Sequence, residues 1–264
     1  MKYLAPIFLT ILPALCYSQE ATIISHSAAT SNYSLNSNNV WSVSCNPSGI
    51  IEMKKIAAGL FYSNHFMMKD LSSQYLVCAF PLNKTISSAV SVFRFGNELF
   101  SRNQLSFASA MNLSNKIKLG AQIHLQYIHQ SEQPALYYAF PELGMSYRIN
   151  TKISMGAALK NFTENIHPAQ KTQEKQIFRI GLTYVFDEKV RLHAQTIFER
   201  RTYPFIAVGV DYFPTEKIYL GFNISSTNQP FNIGVGYKMK SAEIKIAFAY
   251  HQLLGTTPAS SITL

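Results

Sequence analysis

Residues 116–130, KIKLGAQIHLQYIHQ, decide the fold. Ile117, Leu119, Ala121, Ile123, Leu125 and Tyr127 alternate with Lys118, Gly120, Gln122, His124 and Gln126, and Ile128 is the one departure. A period of two held this long reads as a strand with one oily face and one wet face. Strands of soluble domains run to about 5–6 residues, whereas a tilted strand that crosses a bilayer needs roughly 9–11. A stave of this length, apolar towards lipid and polar towards a lumen, belongs to a transmembrane β-barrel.

The rest of the chain repeats the pattern from Lys54 onward. Apolar phases recur as Ile56/Ala58/Leu60/Tyr62, Leu76/Cys78/Phe80, Leu143/Met145/Tyr147, Phe178/Ile180/Leu182, Ile206/Val208/Val210, Phe231/Ile233/Val235 and Ile244/Ile246/Phe248, with others between them. Opposite them stand polar or small residues. The third strand is irregular, because Phe93 and Phe95 interrupt its phase. About thirteen strands are counted in this way, and the C-terminal stretch 258–264 supplies a short fourteenth that closes on the first. Twelve is the fallback, since bacterial single-chain barrels are even-numbered. Tight turns (Asn83-Lys84, Ser114-Asn115, Asn150-Thr151, Asp187-Glu188) alternate with longer polar loops at 66–70, 97–102, 131–138, 163–174, 200–203 and 225–229. Short turns at one rim and long loops at the other is the outer-membrane arrangement, and it places both termini in the periplasm. Tyr62, Phe66, Tyr75, Tyr127, Tyr137, Tyr138, Phe140, Phe186, Phe198, Tyr203, Phe205, Tyr212, Phe213, Tyr219, Tyr237 and Tyr250 gather near strand ends, where rings sit well at headgroup level.

Composition agrees. The 264 residues are 47% hydrophobic and 13% aromatic but only 14% charged, against about 25% charged in soluble domains. No stretch has the roughly 18 consecutive apolar residues of a membrane helix. A secreted all-β domain is the soluble alternative. Residues 1–18 read as a signal peptide, with Lys2, an apolar core at 4–15 broken by Pro6 and Pro13, and small residues before Gln19. The bulky Leu15 ahead of Cys16 speaks against a lipoprotein site. The formal charge of +9 would suit nucleic acid in a cytosolic protein. In an exported chain without a basic cluster, nucleic acid is excluded as a partner, and outer-membrane lipid or an anion-preferring lumen replaces it. Cys45 and Cys78 could pair in an oxidising compartment, but Cys78 shares the lipid-facing phase of Leu76 and Phe80. No metal-ligand spacing is present, and no cofactor is expected.

Residues 19–53 differ from the alternating strands after them. They are rich in Ser, Asn and Thr and end in Asn46-Pro47-Ser48-Gly49, strong turn chemistry. The segment is too long for a strand lead-in and is expected to plug the barrel formed by residues 54–264. Gly59, Gly120, Gly144, Gly156, Gly181, Gly221, Gly234 and Gly236 fall on the inner phase, and glycine there allows another segment to pass close to the wall.

The inner phase also carries the candidate site residues: Gln122, His124 and Gln126 on the opening stretch, Arg148, Arg179, and Arg191, His193 and Gln195 on a later strand. A histidine could act as a base, but a solvated lumen wall needs polar groups in any case and is the stronger reading. The close Ser/His neighbours, Ser25-His26-Ser27 and Ser63/His65, show no third member to orient the histidine, which argues against a lipid-modifying enzyme. Lys116, Lys152, Lys189, Lys217 and Lys245 begin strands and read as interfacial lysines, with an anion-selective ring as the alternative.

Asn46-Pro47-Ser48-Gly49 ahead of the first strand resembles the Asn-Pro-Ala-Gly element of FadL-like barrels, including the PorV/PorQ group tied to type IX secretion, with Ser48 in place of the usual Ala. The ending HQLLGTT…SITL, residues 251–264, is similar to the ends of PorV/PorQ-like proteins. PorP/SprF proteins share an Asn-Pro element, but their N-terminal aromatic run is missing here. The resemblance implies a fourteen-stranded outer-membrane barrel of a Gram-negative bacterium with an N-terminal plug. It implies either uptake of a hydrophobic solute or a scaffold that binds protein partners of a secretion or surface-attachment machine. The chain is short for a FadL-type transporter, so the scaffold is the expected role.

Overall fold

The computed structural model describes residues 35–162, 175–200, 202–227 and 230–264. The signal-peptide reading and Ser25-His26-Ser27 lie outside these residues, as does the loop at 163–174. Fourteen strands succeed one another: β1 (Ala57–Asn64), β2 (Ser72–Pro81), β3 (Ile86–Gly96), β4 (Phe100–Asn112), β5 (Ile117–Gln130), β6 (Leu136–Arg148), β7 (Ile153–Lys160), β8 (Ile177–Val185), β9 (Val190–Glu199), β10 (Phe205–Thr215), β11 (Ile218–Ser225), β12 (Phe231–Lys238), β13 (Glu243–His251) and β14 (Gly255–Thr263). Each pairs antiparallel with its sequence neighbours, and β1 pairs with β14 to close the barrel. Ala58 and Leu264 extend that seam by exchanging backbone hydrogen bonds at 2.8 and 3.2 Å. Closure removes the unpaired edges that an open sheet would expose. The last strand is nine residues long, paired with β13 along its whole length and with β1 from Ala259 to Thr263, and is not the short stub the sequence suggests.

Outward side chains are apolar round most of the circumference: Leu60, Leu76, Phe107, Leu125, Leu143, Phe178, Ile206, Phe222, Ile233 and Phe248 are all exposed. A band of this extent is untenable in water and is what a bilayer core requires. No helix of the described residues is long and apolar enough to cross a membrane. One rim carries tight turns built by side chains that hold the backbone. Asn83 Oδ1 accepts from Thr85 N and Ile86 N at 2.8 Å, and Asn150 and Asp187 do the same for the turns after β6 and β8. Both ends of the described chain's barrel, β1's start and β14's end, lie at this rim. At the other rim two of the described loops, 97–99 and 131–135, are shorter than the sequence reading. β4 begins at Phe100 and β6 at Leu136, because those residues still find ladder partners in Gln130 and Ile128 of β5.

The inner face is divided. Phe61, Tyr75, Val77, Ala79, Ala89, Ala108, Ala110, Ala247 and Ala259, from β13, β14 and β1–β4, form one apolar sector. Phe93 packs against it, and Phe95 meets His65 edge to face at 5.6 Å. The two phenylalanines therefore do not break the phase of β3; they share the inner face with Ser87, Ala89 and Ser91. Four aromatics expected in the lipid girdles also point inward: Tyr75, Phe140, Phe205 and Tyr219 are each less than a tenth exposed.

Candidate functional site

Residues 35–53 lie inside the barrel towards the tight-turn rim. Two short 3₁₀ helices, Val40–Ser44 and Pro47–Glu52, make up most of this plug. Asn39 caps the first by accepting from Trp41 N, and Asn46 caps the second by accepting from Ser48 N at 3.1 Å. Pro47 sits at the first helical position, where its missing N–H costs nothing. The plug's apolar side, Val40, Trp41, Val43, Ile50 and Ile51, packs on the apolar sector of the wall.

Its polar side is tied to β5–β8. Asn46 Nδ2 donates to Met145 O (3.0 Å), Ser146 Oγ (3.2 Å) and Leu35 O (2.7 Å). Ser48 and Ser146 hydroxyls meet at 2.7 Å. The Arg179 guanidinium donates to the carbonyl oxygens of Ser44 and Cys45 at 3.3 and 3.1 Å. Asn36 donates to Ser154 O and Thr183 Oγ1. At the rim, Glu52 is gripped by Lys118 and by Arg148, the latter at 2.8 Å.

Wall glycines admit these contacts. A Cβ on Gly59 would stand 2.6 Å from the Trp41 ring, and one on Gly156 would stand 2.6 Å from Leu35. At Gly120 and Gly144 it would collide with Ser48 and Asn46. Trp41 completes the seating by donating from Nε1 to Thr263 Oγ1 at 2.9 Å, across the β1–β14 seam.

The candidate residues named from the sequence fall into three groups. Arg148, Arg179, Asn46, Pro47, Ser48 and Gly49 belong to the plug contact. Gln122, His124 and Gln126 are buried further along β5. Arg191, His193 and Gln195 lie on β9, where Arg191 stacks over Phe213 at 4.9 Å and His193 faces Asp211 at 4.0 Å. Gly209 leaves the room that the His193 ring occupies. Next to it, Tyr219 lies over Gly221, donates to Asp211 at 2.9 Å and carries the Lys245 ammonium on its ring at 4.9 Å. Lys245 is thus an inward residue, unlike the exposed Lys116, Lys152, Lys189 and Lys217.

Strand register supplies His124 with partners that no local motif shows. Ser106, its cross-strand neighbour on β4, bonds Nδ1 at 2.8 Å, and Glu142 on β6 accepts from Nε2 at 3.1 Å. Gln104 also reaches Nδ1, at 3.0 Å, and Phe140 stacks on the ring at 4.8 Å. Ser, His and a carboxylate in this order have the connectivity of an acyl-transfer triad. Ser106 is only 1% exposed, however, so an acyl carbon has no approach to its Oγ. The trio acts as a polar brace between β4, β5 and β6. His65, at the loop rim, is likewise enclosed: its Nε2 lies 2.8 Å from Ser73 Oγ and 3.4 Å from Ser63 Oγ. Burial pushes its pKa down to about 4. Cys45, buried in the plug, and Cys78, on the lipid face, are not joined by a disulfide. Among the described residues no cluster of His, Cys, Asp and Glu could hold a metal.

No protein-family model matches the chain, and none of the curated proteins searched matches it. Solved structures do. The chain is similar to a FadL homologue of Pseudomonas aeruginosa (TM-score 0.64, 12% identity, 90% of this chain and 97% of that one). It is also similar to CymD, a monoaromatic hydrocarbon channel (TM-score 0.66, 10% identity, 90% and 96%). The toluene transporter TodX of Pseudomonas putida gives a TM-score of 0.57 at 10% identity over 83% and 90%. At these identities the likeness is one of fold: this chain has the architecture of FadL-like outer-membrane channels.

Proposed function

We propose that the protein is a plugged outer-membrane channel for small hydrophobic solutes, with the tight-turn rim in the periplasm and residues 35–53 as the gate. The observation that carries this is the apolar sector inside the lumen. The interior of a water-filled porin is polar, yet here Phe61, Tyr75, Val77 and a run of alanines line one side. The plug covers that side with its own apolar residues. Displacing the plug would bare an oily track inside the wall, which suits an apolar solute and not an ion. The neighbours in fold that are named for hydrocarbon or toluene passage support the same reading.

The secretion-scaffold role expected from the PorV/PorQ resemblance rests on Asn46-Pro47-Ser48-Gly49 and the C-terminal stretch alone, and the comparisons favour the channel. The test is uptake of a radiolabelled monoaromatic hydrocarbon by cells that express the barrel. Expression should raise uptake, and deletion of residues 35–53 should raise it further while also admitting polar solutes. A barrel that folds but changes uptake in neither form removes the channel reading. A secretion defect in the deletion strain would then restore the scaffold.

A further inference from the structure

At the tight-turn rim, between the exit of the plug and the inner side of the β2–β3 and β4–β5 turns, lies a basin of about 920 Å³. Lys54, Lys84, Lys118 and Arg148 line it, and Glu52 is the single acidic residue among its lining. Lys118 and Arg148 already hold a carboxylate, that of Glu52, the last residue of the second plug helix. Lys54 and Lys84 are exposed and face no carboxylate among the residues that line the basin other than the one already held. Glutamate at position 52 therefore marks what the basin is built to take, and cations remain for more of it. Charged pairs of this kind steer and select partners.

The basin lies inside the ring of turns and leans on the plug, so it is open to the aqueous compartment along the barrel axis. Lipid headgroups lie on the other side of the wall. Its volume of about 920 Å³ is far more than one small anion fills. We propose that it is the docking site for an acidic polypeptide segment of a soluble partner at this rim. The carboxylates of that segment replace Glu52 on Lys118 and Arg148, and in doing so they release the end of the plug. The docking stands on the basin alone; the release rests on the proposed gating.

The test uses the full chain purified in detergent and a fluorescein-labelled oligoglutamate peptide, read by anisotropy. Binding is expected and should weaken steeply with salt. Paired Lys54→Gln and Lys84→Gln, which leave the plug contacts untouched, should weaken it roughly fivefold or more, on the scale of two exposed ion pairs. Paired Lys189→Gln and Lys217→Gln, at other turns of the rim, should leave it unchanged. Glu52→Gln, which removes the internal competitor, should tighten it. No binding, equal loss from both lysine pairs, or equal competition by oligolysine overturns the docking site. Competition by phosphatidylglycerol vesicles or by inorganic phosphate at comparable charge concentration overturns the choice of a polypeptide. Release is read separately, as faster alkylation of Cys45 when the peptide is bound; binding without faster alkylation overturns the release and leaves the docking intact.

Discussion

Replacing Asn46 by alanine tests what holds the plug. Its side chain makes five hydrogen-bond contacts: the two hydrogens of Nδ2 are shared among Met145 O, Ser146 Oγ and Leu35 O, and Oδ1 accepts from Ser48 N and Ser48 Oγ. Asn46 is 1% exposed, Ser48 0% and Leu35 2%, so water cannot replace the lost partner without the plug shifting. A neutral hydrogen bond contributes about 1 kcal/mol net, and a buried group left unpaired costs about 1–3 kcal/mol. The five contacts share one side chain and are not additive, so about 3 kcal/mol is a sober figure for the loss of seating. That corresponds to roughly a hundredfold rise in the unseated population. Cys45, buried in the plug, is a native reporter. With Cys16 and Cys78 replaced by serine, a maleimide can react only when Cys45 is uncovered, and its rate follows the open population when closing is fast. Asn46→Ala should therefore label about 100 times faster than its parent, while its folded band on heat-modifiability gels is unchanged. Ser48→Ala keeps the Asn46 bonds to the wall and should gain only about tenfold, the equivalent of about one bond. Wild-type labelling of Asn46→Ala in an intact barrel would refute the reasoning, as would equal rates for the two variants.

Other outcomes rest on the same geometry. Gly59→Ala brings a methyl within 2.6 Å of the Trp41 ring; overpacking of this kind costs about 1–3 kcal/mol. Trp41 is the sole tryptophan, so its emission should shift to the red while the barrel stays folded, and an unshifted spectrum counts against close seating. Glu142→Gln strips a buried carboxylate from His124, and with Lys160 and Arg179 nearby the loss should be about 3 kcal/mol, read as a lower heat-modifiability midpoint. Ser106→Ala should cost only about 1 kcal/mol and leave solute uptake at the wild-type level; loss of a lipid-hydrolysing activity on that change would reinstate the triad as catalytic. His65 has a folded pKa of about 4 against 6.5 in the unfolded chain. The unfolded state therefore takes up the proton first, so stability is full above 6.5 and falls as pH drops from 6.5 towards 4. The total is at most about 3 kcal/mol. His65→Gln should flatten that part of the midpoint-against-pH curve, and an unchanged slope would show that other groups set it.

The barrel was legible in the sequence because alternation is a local property. Ile117 to Tyr127 declare their faces without reference to any other strand. The turns were legible for the same reason, since Asn83, Asn150 and Asp187 cap the backbone only two and three residues on. The inward glycines announced that something approaches the wall, but which plug residue meets which glycine depends on tertiary placement. The partners of His124 were hidden for a comparable reason. Ser106 and Glu142 are each 18 residues away, and only register brings them to one ring. The apolar sector was misread because an inner face that is itself apolar cancels the alternation. Phe93 and Phe95 looked like faults in a strand when they were its second face. That sector is assembled across the closure, from β13 and β14 on one side of the seam and β1–β4 on the other. Each strand contributes one to three small or aromatic residues, and no single segment is oily on both faces for long. The apolar sector on which the proposed channel rests therefore belongs to the closed circle and to no stretch of the chain. A reading that takes strands one at a time recovers the wall and misses the apolar sector inside it.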